Sequence, residues 1–322
     1  MLQKLTRCIL FFGVLLLLLI PVNMVLEPKN NTEEAGMYLA KPNQIRSIPE
    51  HTIDLLILGD SEAQTCFSPL DLWDKCGIPS FVCSTGSLRM YQLEELFETS
   101  LATQTPKVVI FETNAFFREY SWTDVLGFQC ERFLHAIRYH DRWKTLTASD
   151  FSSNIHYTAP SPSLGYAIHP ENKPPKNPDY MVWSEIRQEI PFWNRVFFEK
   201  MWKLCRKNEI TLIAFSSPSP QNWTYEKHNA MMDYTEQLGI PYFDGNLINL
   251  GIDWSTDSMD EGDHLNYSGA VKVTNFFAQY FQNYYNFHDY RNDSSYVGWN
   301  DASMKFHQNV EEIVAKLKTI DE

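Results

Sequence analysis

The chain has 322 residues, 44% of them hydrophobic and 14% aromatic, so it can bury a sizeable core and is not a disordered polymer. Its formal net charge of −13 excludes partners that must be gripped along a basic footprint, nucleic acid above all. Its six cysteines form no C-x-x-C and no Cys/His cluster at zinc spacing, and read as mostly structural thiols.

From Cys8 to Leu26 the chain carries no charge, and Ile9 to Ile20 is almost purely apolar. At about 1.5 Å per residue, roughly 19 helical residues nearly cover a hydrocarbon core of about 30 Å. Lys4 and Arg7 precede the run and Glu27 is the first acid, which puts the N-terminus in the cytoplasm and everything after it outside. The bulky Pro21-Val22-Asn23-Met24-Val25 offers no small-residue cleavage site, so residues 1–27 are expected to be an uncleaved transmembrane anchor. Residues 28–50 are polar, with Pro and Asn and little periodicity, and read as a linker.

Beyond it, short apolar runs alternate with helical patterns. Ile53–Leu58, Ile78–Val82, Val108–Phe111, Ile210–Phe215 and Ile240–Asp244 have the profile of buried parallel strands. Helices are predicted to open at Ser68-Pro69, around Met90, at Pro191, over Glu226–Leu238 and over Ser268–Tyr284. The stretch of about 116–190, rich in aromatics, Pro and Asn, is too long for a plain connection and reads as a functional insertion after the third strand. Residues 286–322 form a tail ending in a helix that carries Val310, Ile313, Val314 and Leu317. The alternation predicts an α/β fold, a parallel sheet with helices on both faces, and ligands beyond the carboxyl ends of its strands.

Four segments fall at that edge. Gly59-Asp60-Ser61 follows the first strand, Gly86 the second and Asn114 the third; His264 stands behind Asp260 and Glu261 just before a helix. Taken singly, each reads as an ordinary cap, turn or acidic loop. Together they supply a hydroxyl, two hydrogen-bond donors and an imidazole with a carboxylate, the parts of serine acyl transfer. The alternative for the acidic loop is a metal site on Asp260, Asp263 and His264, but no second ligand cluster accompanies it, and no metal or cofactor is expected.

In this order the residues resemble the SGNH (GDSL-type) hydrolases, over residues 52–285. Gly77-Ile78-Pro79, Pro106–Val109, Tyr139–Lys144 and Asp263–Ala270 more narrowly resemble an envelope branch. That branch is associated with membrane-bound O-acyltransferases and is distantly like the teichoic-acid D-alanylation protein. The resemblance implies a three-layer flavodoxin-like domain over residues 51–285, with Ser61 as nucleophile and His264 as base. Gly86 and Asn114, with the Ser61 amide, would form the oxyanion hole, and either Asp260 or Glu261 would orient the histidine. It further implies an extracytoplasmic esterase or O-acyltransferase acting through an acyl-serine on a cell-envelope glycan or polymer. The aromatics of the insertion, Trp122 and Trp143 among them, suit either sugar stacking at the acceptor site or burial in the core. Glu62 stands where the family has Leu, the third block reads Glu-Thr-Asn, and Glu261 stands where the family has Asp three before the His; the altered third block and the displaced acid leave open an inactive scaffold that docks a membrane-bound O-acyltransferase.

Overall fold

The computed structural model describes residues 2–320; the expected apolar side chains of Val314 and Leu317 lie outside those described. The chain forms two compact units, Met1–Ser47 with Tyr120–Pro160, and Ile48–Glu119 with Ser161–Glu322.

The first unit starts with helix α1 (Leu2–Leu26), of which Gln3–Leu26 is long and apolar enough to cross a membrane, with a mean hydropathy of 2.8. The polar stretch after it is folded rather than slack. It carries a 3-10 helix at Pro42–Ser47, and its buried Asn31 donates to the Asn43 carbonyl and accepts from the Ala159 amide at 3.0 Å. Residues 120–160 contribute a twelve-residue helix and a one-turn helix to this unit, where the sequence suggested irregular chain. Arg142, buried, donates to the Leu26 carbonyl (2.6 Å) and to Asp150 (2.5 Å), tying the end of α1 to that segment.

In the second unit β1 (Leu55–Gly59) leads straight into α2 (Ser61–Cys66), then α3 (Pro69–Cys76), β2 (Ser80–Ser84), α4 (Met90–Leu101) and β3 (Val108–Glu112). In the first unit, α5 (Trp122–Phe133) and α6 (His135–Arg138) follow. The chain then returns through α7 (Phe192–Lys207), β4 (Thr211–Ser216), α8 (Tyr225–Leu238), β5 (Tyr242–Asp244), α9 (Tyr267–Tyr284) and α10 (Val297–Ile320). The strands pair in parallel in the order β2-β1-β3-β4-β5, the flavodoxin-like order, with Leu55 opposite both Ser80 and Val108. Side chains alternate across the sheet. Leu55, Ile57, Val108, Ile110, Ile213 and Phe215 pack on one face with Phe67, Leu72, Val273 and Phe277 of the α2, α3 and α9 region. On the other, Phe111 meets Phe198 of α7 at 5.1 Å between ring centroids, and Cys83 receives the Ser100 hydroxyl of α4. The tail belongs to this unit: Trp73 of α3 contacts Trp299 and donates to Asn300 at 3.0 Å.

Residues 161–191 of the second unit carry no regular helix or strand and are tied down by backbone hydrogen bonds. Leu164 accepts from the Val82 amide, Ala167 donates to Gln64, His169 accepts from Tyr267, and Lys173 exchanges bonds with Ser258 and Glu261. Gly165 is essential to this path. Its φ is +87°, and a Cβ would sit 1.9 Å from the Val82 carbonyl oxygen.

Candidate active site

The strand order reverses direction between β1 and β3, and the residues leaving those two strands face one crevice. Gly59 closes β1 where a Cβ would lie 2.6 Å from both the Ala63 and Glu112 Cβ atoms, so only glycine lets α2 start this close to β3. Asp60 is fully buried and caps α2 through the Glu62 amide at 3.1 Å. Its second carboxylate oxygen takes the Asn114 amide group at 3.2 Å and the Arg118 guanidinium, Nε at 2.9 Å and Nη2 as well. The Asp60 carbonyl accepts the Ser84 hydroxyl from the end of β2 at 2.7 Å. One aspartate thus fixes the exits of three strands.

Ser61 is the first residue of α2 and half-buried, and its hydroxyl makes no hydrogen bond among the described residues. The sequence read Gly-Asp-Ser as a turn before a later helix; the helix begins at Ser61 itself, because Asp60 supplies the cap. Asn114 opens the 3-10 helix Asn114–Phe117. Its backbone N–H is held by the Glu112 carboxylate, and one hydrogen of its side-chain amide remains for a ligand. Gly86 lies exposed in the turn after β2, with open space around its Cβ position.

His264 arrives from the loop before α9. Asp260 holds it twice, accepting the His264 backbone N–H at 2.7 Å and bonding ring Nδ1 at 2.7 Å. A proton on Nδ1 leaves Nε2 as the acceptor, and Nε2 is buried with no hydrogen-bond partner among the described residues. Glu261 is the carboxylate that is not brought in. It sits at φ +62°, more than half exposed, with Lys176 at 3.6 Å. One ring nitrogen of His264 and one carboxylate oxygen each from Glu62 and Asp263 lie within 4.8 Å of one another, so the imidazole stands beside the residue that follows Ser61.

Sequence reasoning missed the ring of groups around this meeting point. The Asn222 amide donates to Glu62 (2.6 Å) and also to Asp263, bridging α2 to the histidine loop. Glu62 is buried, and its Oε2 has no partner among the described residues; burial, then the nearby Glu112 and Asp60, push its pKa well above the usual glutamate range. Burial and Asp60 push Glu112 up too, although the Asn114 and Ser217 amides oppose this. Burial lowers the pKa of Lys227, whose ammonium lies over the rings of Phe117 (5.3 Å) and Trp223 (5.8 Å). The departure at Glu62 was the one visible signal; nothing in the sequence marked Asn222. Glu62, Asp263 and His264 have the donor chemistry for a cation; Asn222 occupies one oxygen of each carboxylate and Asp260 the Nδ1, which leaves Glu62 Oε2 and His264 Nε2 as the open ligand atoms among the described residues.

No protein-family model matches the chain, and no curated protein matches it. Among solved structures it is similar to a proposed acylhydrolase of Bacteroides fragilis at 12% identity and a TM-score of 0.39, covering 75% of this chain and 94% of that one. It is also similar to a GDSL-like lipase of Bacteroides thetaiotaomicron, at 12% identity, TM-score 0.37, and 71% and 87% coverage. A lipolytic protein proposed for the G-D-S-L family, from Desulfitobacterium hafniense, matches at 13% identity and TM-score 0.37, with 70% and 97% coverage. At these scores the likeness says nothing of chemistry, and the α/β architecture rests on the strand pairing itself.

Proposed function

We propose that the chain is a serine esterase or O-acyltransferase of the SGNH type, with Ser61 as nucleophile, His264 as base and Asp260 as the carboxylate that orients it. The supporting observation is the Asp260–His264 pair, which leaves a buried, unpartnered Nε2 beside the start of α2. In this reading Nε2 takes the Ser61 proton as Oγ attacks an ester carbonyl. Asn114 Nδ2 and the Ser61 and Gly86 amides receive the developing oxyanion. The proton then passes from His264 to the leaving alcohol, giving an acyl-serine that water or an acceptor hydroxyl resolves. Asp60 and Arg118 position the Asn114 amide rather than reacting.

With α1 as an anchor, the active site faces outward and the acceptor is a cell-envelope glycan or polymer. A groove of about 330 Å³ supports this choice: the rings of Tyr180 and Trp254 lie 6.0 Å apart in it, beside Asn246 and Asn249. Asn246 is bonded to Ser219, which is bonded to the Asp263 carbonyl, so the groove adjoins the histidine loop. Ser61→Ala should abolish p-nitrophenyl acetate turnover and fluorophosphonate labelling while leaving the melting temperature unchanged; undiminished labelling would reject the assignment.

The second reading is an inactive scaffold for a membrane-bound O-acyltransferase, favoured by the absence of a Ser61–His264 hydrogen bond among the described residues. Catalytic bonds are often long without substrate. Isolation from membranes with a stable partner, together with full function of Ser61→Ala in cells, would select the scaffold.

A further inference from the structure

Large apolar side chains are unevenly exposed. Outside α1, seven exposed ones fall within residues 120–160: Trp122, Leu126, Phe133, Ile137, Trp143, Phe151 and, at the margin, Ile155. Among the described residues, only nine are spread over the second unit. They are also ordered. On α5, positions 122, 126 and 133 share one helical face with the exposed Cys130, while Val125 and Phe128 on another face are buried.

This patch is bonded to the last turn of α1. The Ala136 amide donates to the Asn23 side chain at 2.8 Å, Arg142 donates to the Leu26 carbonyl, and His135 lies 3.7 Å from Glu27. A membrane-crossing helix that ends at Leu26 therefore sets these aromatics at the height where it leaves the hydrocarbon. That is the level at which Trp and other amphipathic rings partition, and at which an amphipathic helix lies in the plane of the bilayer. Charge agrees. In the first unit beyond α1, seven Lys/Arg balance seven Asp/Glu, whereas the second unit has 18 Lys/Arg against 33 Asp/Glu. Most of the chain would be repelled by an anionic headgroup layer; this part would not.

We propose that residues 120–151 form a monotopic collar that seats in the lipid headgroup region around the exit of α1, with Trp122, Leu126, Phe133 and Trp143 as its anchors. The proposal rests on the reading of α1 as a membrane span. It moves Trp122 and Trp143 from the acceptor site considered for them to lipid contact.

The test is site-directed spin labelling of the full chain in phosphatidylcholine–phosphatidylglycerol vesicles, with Cys8→Ser and Cys130→Ser as background. Single labels are introduced at Leu126→Cys, Phe133→Cys and Trp143→Cys, and at Leu15→Cys in α1. All four positions are exposed, so folding is not at risk. Each label is expected to collide more often with oxygen than with a water-soluble nickel chelate. If Leu15 is lipid-exposed but the other three favour the nickel chelate, the collar is wrong and the anchor stands. Nickel access at Leu15 removes the anchor and the collar with it. Labels at 126, 133 and 143 shielded from both reagents would show a protein contact, such as a second copy, and would also overturn the proposal.

Discussion

Among single residues, backbone geometry brings only one of the two acids before His264 to its ring. Asp260 can bond both the amide and the ring of the histidine four residues on, whereas Glu261 is turned out by its positive φ. Asp260→Asn is therefore expected to lower kcat by about 10³–10⁴, and Glu261→Gln to leave it within about twofold, in steady-state ester hydrolysis. That a carboxylate would meet the histidine was legible from the Asp-Glu-Gly-Asp-His string; which one bonds the ring depends on a φ angle that composition does not encode. Glu62 allows a different check. A glutamate held neutral by burial keeps a proton that the unfolded chain releases above the ordinary value of 4.5. The stability tied to that proton is complete below the unfolded value and is lost as pH climbs through the raised folded one. Glu62→Gln should flatten the decline of melting temperature as pH rises above the ordinary value of 4.5. An unaltered slope would mean that Glu62 is ionised in the fold.

The elements differ in how much of them local sequence determines. All five strands appear within two residues of their predicted starts: β1 to β4 are short apolar runs buried on both faces, and the half-buried β5 pairs with the end of β4. Helix α2 was invisible because six residues carry too little periodicity; it exists through the Asp60 cap and the close approach at Gly59. Gly59→Ala should cost about 1–3 kcal/mol, and more if α2 cannot shift, as measured by urea unfolding in detergent. Near-wild-type stability would mean the contact with Ala63 and Glu112 is looser than described. The folding of residues 28–50 was equally hidden. Their partners, Ala159 for Asn31 and Tyr157 for Arg46, are more than a hundred positions away. A polar, aperiodic segment looks the same whether water or a distant side chain satisfies it.

At the scale of the whole molecule, the N-terminal helix and the acidic body suit opposite surroundings, bilayer and water. Removing residues 1–20 while keeping the Asn23–Leu26 turn should convert the protein from carbonate-resistant to carbonate-extractable in membrane fractions; a truncated chain still resisting carbonate would show that α1 is not the principal anchor. The catalytic reading depends on a convergence at the same scale: the start of α2, the loop after β3 and the loop before α9 supply Ser61, Asn114 and His264 from widely separated positions. Peptide mass spectrometry after fluorophosphonate treatment of the intact protein tests this convergence most directly. The adduct should map to Ser61 in the wild type, form far more slowly in His264→Ala, and be absent from Ser61→Ala. An adduct on another residue, or equal labelling rates with and without the imidazole, would contradict it.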